Sequence, residues 1–108
     1  CNIMTQDGET EGMSAADHVA ALLRHSGPGL VDICLCNSAP VRTSLLERYR
    51  AEDAAPILVD RDRLEALGVE LVTRPLASET SDYARHSIAR LAEAVMEIYG
   101  DRAQTRIF

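Results

Sequence analysis

Short apolar runs alternating with helix-forming stretches constrain this chain more than any other feature. Val31-Asp32-Ile33-Cys34-Leu35-Cys36-Asn37, Pro56-Ile57-Leu58-Val59-Asp60 and Val69-Glu70-Leu71-Val72-Thr73 read as strands buried on both faces. Cys1-Asn2-Ile3 reads as the end of another strand, so a preceding part is expected. Helical patterns fill the gaps. Ser14 followed by Asp17 predicts a capped start, and Gly27-Pro28-Gly29 a stop. A second helix is expected from Pro40 to about Arg50. Asp60 is expected to cap a short third helix that Gly68 ends. Ile88, Leu91, Ala92, Val95 and Tyr99 recur at helical spacing, and Gly100 is expected to end that last helix.

Strands separated by helices need crossover connections, which make a parallel sheet. The expected fold class is α/β, with three layers (α/β/α) and a mostly parallel sheet. Residues 1–100 are expected to be the C-terminal part of one larger domain, and 101–108 a polar, loose tail. A parallel sheet cut through its first strand has an unpaired edge. The piece alone is therefore expected to be marginally stable or to self-associate, with a homo-oligomer as one outcome.

Seventeen acidic and eleven basic residues give a net charge of −6. That balance argues against a nucleic-acid surface, which needs clustered positive charge. The apolar runs are far shorter than the ~20 residues that span a bilayer, so no membrane insertion is expected. Every basic residue is Arg. The stretch therefore holds no phosphate-loop lysine, no Schiff-base lysine, and no lysine to partner Asp60 as a receiver domain requires. Cys34 and Cys36 are expected on opposite strand faces, unable to bridge and lacking the spacing of a zinc knuckle; they read as small buried hydrophobes. His18 and His25 have no third ligand to complete a metal site. No metal, cofactor or catalytic residue is expected.

In parallel α/β sheets, ligands bind beyond the carboxyl ends of strands. The first such loop carries Asn2, Thr5, Gln6, Gly8, Glu9 and Thr10. It leads toward a helix start near Ser14, where free N–H groups would suit an anion. Read by spacing alone, this is an ordinary polar strand-to-helix loop. Tyr49 could stack on a base or be a half-buried helix-end ring. Arg85, read as opening the last helix, could grip a diphosphate with its fork or lie free in solvent. His86 could join it or be exposed.

Asn2-Ile3-Met4-Thr5-Gln6, Gly8-Glu9-Thr10 and Ala16-Asp17-His18-Val19 together resemble the signature of the gluconeogenesis-factor (YvcK-like) family. The similarity continues through Asp32-Ile33, Asn37, Glu47-Arg48-Tyr49, Pro56–Asp60 and Leu67–Glu70 to Arg85-His86, nearly the whole chain in order. The resemblance implies a Rossmann-like fold whose earlier portion carries a Gly-rich loop. It implies a cytoplasmic protein that binds a UDP-sugar such as UDP-N-acetylglucosamine and supports cell shape and cell-wall integrity on gluconeogenic carbon. That is a regulatory binder rather than an enzyme. The alternative it implies is the related transferase branch, which passes a phospholactyl or phosphoenolpyruvyl group to a deazaflavin. Under the resemblance Asn2, Thr5, Gln6, Gly8, Glu9, Thr10, Tyr49 and Arg85 are the ligand-binding candidates.

Overall fold

The computed structural model describes residues 1–102 and 105–108. The elements run α1 (Ala15–Ser26), β1 (Ile33–Asn37), α2 (Thr43–Ala51), α3 (Arg61–Ala66), β2 (Glu70–Arg74) and α4 (Ile88–Asp101). β1 and β2 pair in parallel, Ile33 opposite Glu70 through Asn37 opposite Arg74. The pleat sends alternate side chains to opposite faces. Cys34 and Cys36 accordingly pack with Ala15, Ala16 and Val19 of α1 and Leu64 of α3. Ile33 and Leu35 pack on the other face with Ala94 and Ile98 of α4. A parallel sheet lies between helical layers, the three-layer α/β/α arrangement expected.

Several local expectations are corrected. Cys34 and Cys36 share one face, because positions two apart in a strand point the same way. Pro56–Asp60 is not a strand of the sheet. Its start instead runs antiparallel to the first loop, with Ile57 N donating to Ile3 O and Thr5 N donating to Ala55 O. Pro56 has no N–H to offer a ladder, and the carbonyl of Leu58 accepts from Ala15 N at the start of α1. Gly100 lies within α4 rather than ending it.

The tail, of which residues 103–104 lie outside the description, is not loose at its end. Leu35 N donates to Phe108 O and Phe108 N to Ile33 O, so the last residues extend the sheet beside β1. Arg106 anchors them: its backbone N–H and its guanidinium both reach Asp32 Oδ2.

The α1 start follows the sequence closely. Ser14 Oγ accepts from Asp17 N, and Asp17 accepts from Ser14 N, a complete capping box worth ~1 kcal/mol. Asp60 precedes α3 without capping it. It turns to α1, accepting from Ser14 Oγ at 2.7 Å and Ala16 N at 2.9 Å. Arg63 then bridges Asp60 and Asp17, at 3.1 and 2.7 Å. Among the described residues no helix is long and apolar enough to cross a membrane.

Candidate functional site

The loops leaving β1 and β2 are joined by one side chain. Asn37, the last residue of β1, accepts three backbone N–H groups on its Oδ1: Ala39 at 3.0 Å, Leu76 at 2.9 Å and Ala77 at 3.0 Å. Its Nδ2 donates to Ala39 O at 2.7 Å. Both post-strand loops therefore share one anchor at the carboxyl end of the sheet, where α/β proteins place ligands.

The loop after β2 folds back on itself. Ser78 N donates to Arg85 O at 2.8 Å, and Ala77 forms an antiparallel bridge with His86. From α2, Tyr49 accepts the N–H of Ala84 on its hydroxyl at 3.1 Å. Arg42 donates to Ser81 O. The ring of Tyr49 packs with Ile3, Met4 and Ala77.

These contacts close a cavity of about 250 Å³, lined by Asn2, Thr5, Gln6, Tyr49, Arg85 and His86 together with Ile3, Met4 and Ala84. Five of the eight ligand-binding candidates thus meet across a gap of more than forty residues in sequence. Arg85 sits in the loop before α4 rather than opening the helix, which starts at Ile88. Its side chain is exposed and makes no ion pair among the described residues. It supplies positive charge beside the amides of Asn2 and Gln6.

Gly8, Glu9 and Thr10 do not line the cavity. They form the turn beyond it. Gln6 N donates to Thr10 Oγ1 at 2.7 Å, and Thr10 N returns to Gln6 O at 2.9 Å. Gly8 takes φ 77°, which suits a residue without Cβ. The turn ties the backbone of Gln6 to Thr10. Thr5 is buried, and its hydroxyl both donates to Ala55 O and accepts from Ala55 N, holding the loop to the 55–57 segment.

The start of α1 offers no anion site. Ala15 N, Ala16 N and Asp17 N already donate to Leu58 O, Asp60 Oδ1 and Ser14 Oγ. The protein's own carboxylate occupies the place an anion would take. Asp17 is held down to about 2 by the Ser14 N–H and by Arg63. Burial works against ionisation of Asp60, yet the donors from Ser14 and Ala16 and the charge of Arg63 prevail and lower it. Burial lowers His86 and leaves its Nε2 enclosed without a partner. Arg85 is an always-charged side chain lining this cavity.

Asn37 and His86 are the residues the sequence-based site omitted. Position supplied a signal for Asn37, a polar residue ending an apolar run just where strands give way to ligand loops.

A profile of the 2-phospho-L-lactate transferase CofD family matches residues 1–77. The chain is 39% identical over 97 residues to a gluconeogenesis factor of Halalkalibacterium halodurans, covering 90% of this chain and 30% of that protein. It is 36% identical over 98 residues to the gluconeogenesis factor of Bacillus subtilis, covering 91% and 31%. It also superposes on the crystal structure of a UPF0052-family protein from Bacillus halodurans with TM-score 0.83 and 38% identity, covering 89% of this chain and 31% of that one. The chain spans about a third of the length of these relatives. Sequence and fold agree, and the chain belongs to the CofD family, alongside the gluconeogenesis factors.

Proposed function

We propose that the intact protein binds a nucleotide sugar of the UDP-N-acetylglucosamine class and acts as a regulatory ligand-binding protein rather than an enzyme. One observation carries this reading: the cavity that gathers Asn2, Gln6, Tyr49 and Arg85. A diphosphate suits a guanidinium fork that pairs with no carboxylate among the described residues. Sugar hydroxyls suit the carboxamides of Asn2 and Gln6, and a flat base suits the exposed part of the Tyr49 ring. The cavity is small for a whole nucleotide sugar, so the remainder of the ligand is assigned to the parts of the relatives' fold that this chain does not span. The supporting role in cell shape and cell-wall integrity rests on the likeness to gluconeogenesis factors. The same reading puts the protein in the cytoplasm, where nucleotide sugars are made.

A second reading is favoured by the family profile over residues 1–77: transfer of a phospholactyl or phosphoenolpyruvyl group to a deazaflavin. Calorimetric titration of the intact protein with UDP-N-acetylglucosamine separates the two. Saturable binding with no transfer to a deazaflavin acceptor is expected. No heat of binding, together with a modified deazaflavin in the transfer assay, would replace the first reading by the second.

A further inference from the structure

The sulfurs of Cys1, Cys34 and Cys36 all lie within 4.8 Å of one another. Spacing along the chain gives no hint of this, because the third thiol arrives from a neighbouring segment. The backbone nitrogen of Cys1 donates to Leu35 O at 3.0 Å, which sets Cys1 beside the middle of β1. Cys34 and Cys36 flank Leu35 on one face, with their sulfurs 3.6 Å apart. All three thiols are free.

We propose that these three thiols form a binding site for a soft, thiophilic cation of low coordination number, Cu(I). Sulfurs bound at ~2.3 Å to a shared ion lie roughly 4 Å apart in a trigonal plane. One observed separation is 3.6 Å and none exceeds 4.8 Å, so small side-chain rotations bring the three into register. Among the described residues no His, Asp or Glu joins the cluster. Three thiolates without a fourth protein ligand suit Cu(I), whereas structural zinc takes four ligands.

The surroundings fit a soft ion. Cys34 and Cys36 are buried among Val31, Ile57 and Leu71, with no oxygen-rich shell to favour hard cations. A cavity of about 330 Å³, lined by Cys1 and Cys36 together with Pro40 and Val59, leads to the cluster. The thiols shape one another: the hydrogen bond with Cys36 and burial push Cys34 up, while the same bond lowers Cys36. Each thiol that binds releases its proton to solvent, and copper stays Cu(I) throughout. The three thiols are not among the residues of the nucleotide-sugar reading, although Asn2 lines both cavities.

The test is an anaerobic titration of the reduced, intact protein with Cu(I) against the chelator bicinchoninate. Wild type is expected to withhold one equivalent. Cys34→Val and Cys36→Val keep a β-branched apolar residue in the strand and are expected to lose that equivalent. Cys1→Ser should lose it too. The loss should exceed the ~10–100-fold typical of removing a supporting group around a metal. Copper should raise the melting temperature of wild type alone, since binding to the native state stabilises it. If a variant misfolds, mass spectrometry of alkylated wild type decides: Cu(I) must shield all three cysteines together. Folded wild type that yields its copper freely, unchanged retention in the variants, or zinc held in preference to Cu(I) would each overturn the proposal.

Discussion

The hydroxyl of Tyr49 accepts the backbone N–H of Ala84 at 3.1 Å, one residue before Arg85. The two ligand-site candidates farthest apart from the first loop are therefore mechanically linked. α2 holds the loop that carries the guanidinium.

This link changes what a conservative substitution does. If only the ring mattered, Tyr49→Phe would be mild. Losing the hydroxyl strands the Ala84 N–H and costs about 1 kcal/mol, or roughly fivefold in affinity if the loss falls on the bound loop. Tyr49→Ala removes ring and anchor and should bind more weakly still. Titrating both variants with UDP-N-acetylglucosamine checks this order; a Tyr49→Phe protein that binds like wild type would return the hydroxyl to a minor role.

Arg85→Ala should weaken nucleotide-sugar binding by tenfold or more, the loss of a charge-assisted contact worth on the order of 1.5–3 kcal/mol. Arg85→Lys keeps the charge without the planar fork and should fall between. Arg24, exposed on α1 and away from the cavity, is the control. Arg106 would be a poor one, because it pairs with Asp32. Equal affinity for wild type and Arg85→Ala, with both folded by circular dichroism, would remove Arg85 from the site.

Asn37→Ala should destabilise the protein by unpairing the two loops it joins. Three N–H groups converge on its Oδ1, and each one that water does not reach costs about 1–3 kcal/mol. Asn37→Asp keeps the acceptor and should retain more stability, although its lost N–H frees the carbonyl of Ala39. Urea unfolding of the two variants measures the difference. An alanine variant as stable as wild type would show that water replaces the anchor.

Acid should loosen the α1 start. Asp17 titrates at about 2 in the folded state against 3.8 unfolded. Its depressed value means the ionised carboxylate contributes stability that is complete above 3.8 and drains away as pH falls toward 2. With the side chain 35% exposed, solvent screening reduces the contribution to about 1 kcal/mol. Asp17→Asn should melt below wild type at neutral pH, and the gap should close through that acid window. Thermal melts across the acid range check it; a pH-independent gap would mean the Arg63 pair and capping charge contribute nothing.

The sequence by itself determined the elements whose signals are local. The Ser14–Asp17 capping box, the apolar runs of β1 and β2 and the helical spacing of α4 depend on neighbours a few residues away. They formed close to where those neighbours predicted, with only the ends of α4 displaced, and parallel pairing followed from the helices between the strands. Tertiary structure alone decided what depends on partners distant in sequence. Asp60 preceded a helix yet capped another, because Ser14 and the Ala16 N–H lay within its reach. Pro56–Asp60 carried a strand's composition but met the first loop instead of the sheet. Phe108 left a polar tail to pair with the open edge of β1, since backbone donors on an edge gain from any strand that covers them. Tyr49 and Arg85 could be singled out one at a time by residue type and resemblance. That they share a cavity with Asn2 and Gln6, while Gly8, Glu9 and Thr10 form the turn beside it, required the chain to be folded. No pattern in one dimension records which loops a single Asn37 carboxamide will draw together.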